Sequence, residues 1–312
     1  MGNSTHDIFG SANSAAAAPG AYGQPPQGFR LPDTTRLGRV RLRISNLARS
    51  VAFYETVLGM RTLGRDDSHA ELGAFGDERI LLELQELPAA RPVPHRGRLG
   101  LFHFAILLPD RQALGRFVRH LSEIGVQAGA GDHLVSEAFY LHDPDGLGIE
   151  VYADRPRESW RRVGRELMMA TDPVDVDALL RDSGDAPWTG MPAGTVIGHL
   201  HLHVGHIPTA SEFFSETLGF DRTVWSYPGA LFFGAGGYHH HLGTNIWAGA
   251  GASPMGADEA GLLEWTIELP DAESVNAATA SLSAKGSGVT ADGADIVTAD
   301  PWGTSIRLRI AP

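Results

Sequence analysis

The chain copies itself. GRVRLRISNLARSVAFYETVLGM at 38–60 is matched by GHLHLHVGHIPTASEFFSETLGF at 198–220, and internal repetition constrains a fold more than any single motif. Each stretch opens with the alternation of a strand. Apolar positions at helical spacing follow over Ala48–Leu58 and Thr209–Leu218, and each run stops at a glycine. Two weaker copies, GLFHFAILLPDRQALGRFVRHLSEIG at 100–125 and GLLEWTIELPDAESVNAATASLSAKG at 261–286, align with each other without a gap through Leu-Pro-Asp. The chain therefore reads as an α+β protein of four βαβββ modules, 38–87, 100–153, 198–250 and 261–311. These are grouped as two halves, 38–154 and 196–312. A Pro-rich linker at 155–195, with one short helix over Pro173–Arg181, joins them.

Composition narrows what such modules can do. In 312 residues, 43% hydrophobic, there is apolar material for two globular domains. With no cysteine in the chain, any metal must be held by histidine and carboxylates. A formal net charge of −12 without a basic run argues against nucleic acid or an anionic membrane as partner, so the expected ligand is small. No apolar run approaches the roughly 20 residues of a membrane helix, and residues 1–37 open with an Ala, Gly, Pro and Ser-rich leader lacking a signal core. The expectation is a cytoplasmic enzyme with a flexible N-terminal tail over 1–37; a homo-oligomer is compatible with this reading.

From residue 38 on, the repeated modules resemble the vicinal oxygen chelate superfamily, which includes glyoxalase I, bleomycin-resistance proteins and extradiol dioxygenases. The resemblance implies that paired modules curl into sheet-lined cups, with a metal held by residues of the modules' first and last strands. Aligned across the repeats, the facing positions are Arg39, His103, His199 and Glu264 on first strands, with Glu150 and Arg307 on last strands. Arginine cannot ligate a metal, so Arg39, Glu264 and Arg307 read as a structural ion-pair cluster. If each half formed its own cup, neither would hold a complete site. If module two instead pairs with module three, His103, His199 and Glu150 converge as two imidazoles and a carboxylate. That ligand set suits a non-haem Fe(II) oxygenase and is equally acceptable to Mn(II).

GDHLVSEAFYLHDPDGLGIEVY at 131–152 contains Gly131-x-His133, Phe139-Tyr140, Asp143-Pro144-x-Gly146 and Glu150. It resembles the extradiol ring-cleavage signature at every defined position. The resemblance implies that Glu150 is an iron ligand and that His133 and Tyr140 hydrogen-bond the substrate. His142 lies outside the signature and reads as a solvated turn residue. The same resemblance implies an acid/base histidine on the last strand of module three, within GGYHHHLGTNIWAG at 236–249. His240 suits the pattern, with Leu242 and Gly243 behind it, and His241 remains the alternative. His201, two residues beyond His199, and His241 are the expected substrate-binding side chains. These segments are similar to two-domain bacterial catechol-2,3-dioxygenases, implying a small aromatic diol and O₂ as substrates. A glyoxalase-like isomerase or lyase, and a non-catalytic drug-sequestering protein, are the competing readings.

Overall fold

The computed structural model describes residues 6–9, 13–94 and 96–312. All four modules have the order strand, helix, three strands. Module one runs from Arg36–Ile44 through the helix Leu47–Thr56 to Leu82–Glu86, and module two from Gly100–Leu107 through Arg111–Glu123 to Gly148–Asp154. Module three begins at Val196–His203 and ends at Leu242–Asn245; module four spans Gly261–Leu269 to Ser305–Ile310. The Leu-Pro-Asp shared by modules two and four has a local cause. Asp110 and Asp271 are helix N-caps whose carboxylates accept the Ala113 and Ser274 N–H groups. The helix of module three, Ile207–Ser211, continues as a π turn over Glu212–Thr217.

Sheet pairing does not follow the halves. Module two pairs with module three and module one with module four, each through its antiparallel first strands, giving two eight-stranded sheets. The division at 38–154 and 196–312 is therefore corrected, because each sheet takes half its strands from either side of the linker. Side-chain alternation explains the two faces. Phe104, Ile106, Leu200 and Leu202 of one sheet and Val40, Leu42, Trp265 and Ile267 of the other belong to a single buried core. His103, His199 and His201 occupy the opposite, concave face.

Within each module the first strand runs parallel to the last, with Ala105 opposite Glu150, Arg41 opposite Glu83, His201 opposite Gly243 and Thr266 opposite Arg307. The sheet of modules one and four thus carries Arg39, Glu83, Glu264 and Arg307 where the other carries His103, Glu150, His199 and Gly243. Its charges neutralise one another in two groups. Glu264 accepts from the Arg307 guanidinium at 2.7 and 3.3 Å, while Glu83 lies 3.2 Å from Arg39, 3.3 Å from Arg41 and 3.1 Å from His69. Glu264 and Arg307 form the expected ion pair, while Arg39 pairs separately with Glu83, a residue that the repeat alignment overlooked. Glu264→Ala should lower stability in urea denaturation by about 2–4 kcal/mol, since it strands a buried guanidinium. Asp292 and Asp295 keep contact with Arg307 and limit the loss. Metal content at the other sheet should not change.

Of the expected tail, residues 1–5 and 10–12 lie outside the described residues, and parts of the rest are docked. Ala15–Ala16 pairs with Arg161–Arg162, the buried Tyr22 hydroxyl donates to the Gly237 carbonyl at 2.7 Å, and Leu31 enters the core. Tyr22, Phe29 and Leu31 give this leader apolar anchors that its Ala-Gly-Pro content obscured. The linker is likewise structured: Arg161–Val163 pairs with Glu166–Leu167, and the helix is Val176–Asp182. Buried Glu166 accepts the backbone N–H groups of Trp225 and Ser226, tying the linker to module three. Among the described residues no helix is long and apolar enough to cross a membrane.

The Asp-Pro-Asp-Gly turn clamps the two sheets together. Asp143 accepts the N–H groups of Asp145 and Leu147 at 2.8 Å and meets the Tyr54 hydroxyl of module one at 3.2 Å, while Asp145 accepts the Ser45 N–H at 2.8 Å. Gly146 sits at φ +83°, the left-handed region that glycine favours. Burial pushes the Asp143 carboxyl up to about 6, against the lowering effect of those two backbone donors. Its folded value exceeds the unfolded one, so the folded state holds the proton more tightly. The resulting stabilisation is complete below about pH 4 and is lost as the pH rises through about 6. Relative to Asp143→Asn, the unsubstituted chain should lose about 1–3 kcal/mol between pH 4 and 7, read from urea midpoints.

Candidate metal centre and active site

On the concave face of the module two and three sheet, three side chains meet. His103 Nε2 lies 3.0 Å and His199 Nε2 3.1 Å from Glu150 Oε2, and the candidate ligand atoms of all three fall within 4.8 Å of one another. Strand geometry accounts for this. His103 and His199 come from the two central antiparallel strands, and Glu150 from the strand parallel to the first of them.

The trio is buried yet under-satisfied. Glu150 is 2% exposed, and its Oε1 has no hydrogen-bond partner; the same holds for His199 Nδ1 and His201 Nε2. Burial alone would raise the Glu150 carboxyl, but the His199 and His103 imidazoles beside it outweigh that and hold it well below its ordinary range. Burial takes His199 down to about 4, so at neutral pH the pair is a carboxylate beside a neutral imidazole. These are the protonation states a metal ligand needs. Two imidazoles, one carboxylate and unpaired buried polar atoms fit a divalent cation of the Fe(II) or Mn(II) type.

A cavity of 420 Å³ opens on the trio. His133 and Tyr140 form one wall, joined by a 2.5 Å hydrogen bond between His133 Nε2 and the Tyr140 hydroxyl; His133 Nδ1 meets the Ala170 carbonyl at 2.6 Å. Burial first, then the charge of Glu150, keeps the Tyr140 phenol well above its usual range, so it is a hydroxyl at neutral pH. His201 and His240 also line the cavity. Burial, reinforced by neighbouring histidines, pushes both well below the ordinary histidine value.

The His239–His241 run is not on a strand. It lies in the turn before Leu242–Asn245, where strict alternation of faces no longer applies. His240 faces the cavity with its ring centroid 4.1 Å from that of His199. His241 is corrected as a substrate contact: its Nδ1 accepts the Ala235 N–H at 3.2 Å, and its ring packs beside Phe220 and Tyr238. The strand position opposite His201 is Gly243, where an added Cβ would come within 2.9 Å of the His201 ring. That glycine occupies the place Glu150 holds in module two, so the missing side chain is what makes room for His201.

Sequence reasoning missed much of the cavity's apolar wall. Phe102, Tyr227, Phe232 and Trp247 surround His201, with Phe102 and Trp247 in edge contact at 5.8 Å, and Met169, Ala170 and Thr171 come in from the linker. Phe102, next to His103, and Trp247, just past the histidine run, were the available signals; nothing in the linker sequence marks it as part of a cavity. Among the described residues lining the cavity, Glu150 is the one carboxylate.

Fold and site together define a cup built from paired βαβββ modules, with a candidate metal site of two histidines and a glutamate on its concave face. The Glyoxalase/Bleomycin resistance protein/Dioxygenase superfamily profile matches residues 36–151. Over 248 residues, 78% of this chain and 86% of its relative, the sequence is 49% identical to a catechol-2,3-dioxygenase of Bacillus subtilis. A lactoylglutathione lyase of Neisseria meningitidis is 32% identical over 124 residues, covering 37% of this chain and 88% of its own. Among solved structures, a Bacillus subtilis protein assigned to the dioxygenases superposes with TM-score 0.63 at 13% identity, covering 91% of this chain and 86% of its own. Glyoxalase I of Zea mays gives 0.54 at 17% identity, covering 89% and 92%; these two likenesses concern the fold alone. The chain belongs to the Glyoxalase/Bleomycin resistance protein/Dioxygenase superfamily.

Proposed function

We propose that the protein is an Fe(II)-dependent extradiol dioxygenase that opens catechol or a substituted catechol with O₂ to a 2-hydroxymuconate-semialdehyde-type product. The observation that carries this reading is the convergence of His103, His199 and Glu150 in a cavity that also holds unligated His133, Tyr140, His201 and His240. The 49% identity to a protein named as a catechol-2,3-dioxygenase supports the same substrate class. Iron, when bound, would bring the diol and dioxygen together and carry electrons between them.

The chain's own residues supply position, exclusion of water and proton handling. Phe102, Phe232 and Trp247 offer a flat apolar slot for an aromatic ring. The Tyr140 hydroxyl and His133 are placed to hydrogen-bond a substrate oxygen. His240, neutral at rest, is placed to take a proton and return it at the reacting oxygen. His201 closes the slot beside Trp247, with ring centroids 5.5 Å apart.

The test is oxygen uptake by anaerobically Fe(II)-loaded protein given catechol and a panel of 3- and 4-substituted catechols. Stoichiometric consumption of O₂ with a yellow ring-opened product is the expected result. Absence of uptake across the panel, with iron verified in the protein, would overturn the reading.

A further inference from the structure

Behind His240 a run of hydrogen bonds leads out to the surface. His240 Nδ1 is 2.7 Å from His239 Nδ1, His239 Nε2 is 2.9 Å from Asp154 Oδ1, and the Tyr238 hydroxyl donates to the same Asp154 oxygen at 3.3 Å. His239 is fully buried, and its ring lies against Trp160 with centroids 5.4 Å apart. The Asp154 side chain is 28% exposed and so reaches solvent from the end of its strand.

We propose that Asp154 and His239 are positioning residues that fix His240 in the tautomer presenting an unprotonated Nε2 to the cavity. The polarity of the run follows from its solvent end. A carboxylate has only acceptors to offer, so His239 Nε2 must carry the proton that Asp154 accepts. We assign one proton to each ring, so that His239 Nδ1 is a lone pair and takes the Nδ1–H of His240 across the 2.7 Å contact. That leaves Nε2 of His240, whose ring lines the cavity, as a hydrogen-bond acceptor. The run decides where the proton sits on His240, leaving the number of protons unchanged, and His240 meets its ligand as a base before it can act as an acid. A neutral asparagine at 154 would turn its amide toward His239 Nε2 as a donor and reverse every bond up to the cavity.

The test has two readouts on the full chain. In ¹⁵N-histidine-labelled protein whose metal centre is filled with diamagnetic Zn(II), the signal assigned to His240 should show a pyridine-like Nε2 and a pyrrole-like Nδ1. Asp154→Asn and, separately, His239→Phe should shift that signal toward Nε2 protonation or tautomer averaging. The second readout rests on the dioxygenase reading: kcat of the Fe(II) enzyme should fall roughly 10- to 100-fold in either variant. KM should stay within about twofold. A protonated His240 Nε2 in the unsubstituted chain, or an unchanged spectrum in both variants, would overturn the proposal. If the unsubstituted chain turns over no catechol, the dioxygenase reading fails while the spectrum still decides the tautomer.

Discussion

Glu150→Ala is expected to leave a folded protein that no longer retains stoichiometric metal and has no measurable oxygen uptake. The carboxylate lies between two imidazoles, with one oxygen about equidistant from both. Removing it takes away both a ligand and the charge that compensates a divalent cation, and a facial site needs all three donors. Folding should survive, because the strand pairing of Glu150 with Ala105 and Tyr140 is made by backbone and does not need the carboxylate. Without metal, the apo form of this variant is expected to be at least as stable as the unsubstituted apo protein, since a buried carboxylate with an unpaired Oε1 is gone. Metal analysis after dialysis, beside thermal denaturation, checks both halves of the statement. Retention of a full equivalent of metal would show that His103 and His199 are not acting with Glu150.

His240→Ala should separate from it cleanly. Metal content is expected to remain stoichiometric, because His240 lies outside the ligand trio, while kcat falls about 10²–10⁴-fold, the range spanned by positioned acid and base groups. KM should change far less, since the aromatic slot formed by Phe102, Phe232 and Trp247 is left in place. A variant that loses metal together with activity would move His240 into the ligand set. His241→Ala, whose ring faces Phe220 and Tyr238 instead of the cavity, should keep kcat and reveal itself through stability.

Much of this site was legible before any coordinates. The repeat placed His103, His199 and Glu150 at equivalent strand positions, and since a strand's side chains alternate with period two, equivalent positions share a face. The resemblance of 131–152 to the extradiol signature pointed to His133 and Tyr140, and both line the cavity. His240 and His241 could not be separated in the same way. Alternation orders residues only along a strand, and the histidine run lies in a turn. The aromatic wall was hidden for a different reason: Phe102, Tyr227, Phe232 and Trp247 come from separate segments, and nothing local signals that they converge.

By itself the sequence determined the modules, their count, the face each ligand occupies and the helix caps, because these depend on periodicity and on contacts a few residues apart. It also showed that His103, His199 and Glu150 can meet only if module two pairs with module three. Tertiary structure alone decided the partner of each module, the docking of the leader through Tyr22 and Leu31, and the contribution of Met169, Ala170 and Thr171 to the cavity. It alone placed Asp154 behind His239 and His240, 85 residues from His239 along the chain. Those outcomes depend on which apolar surfaces bury one another across long separations, and that burial has no directional signature in any local stretch of chain.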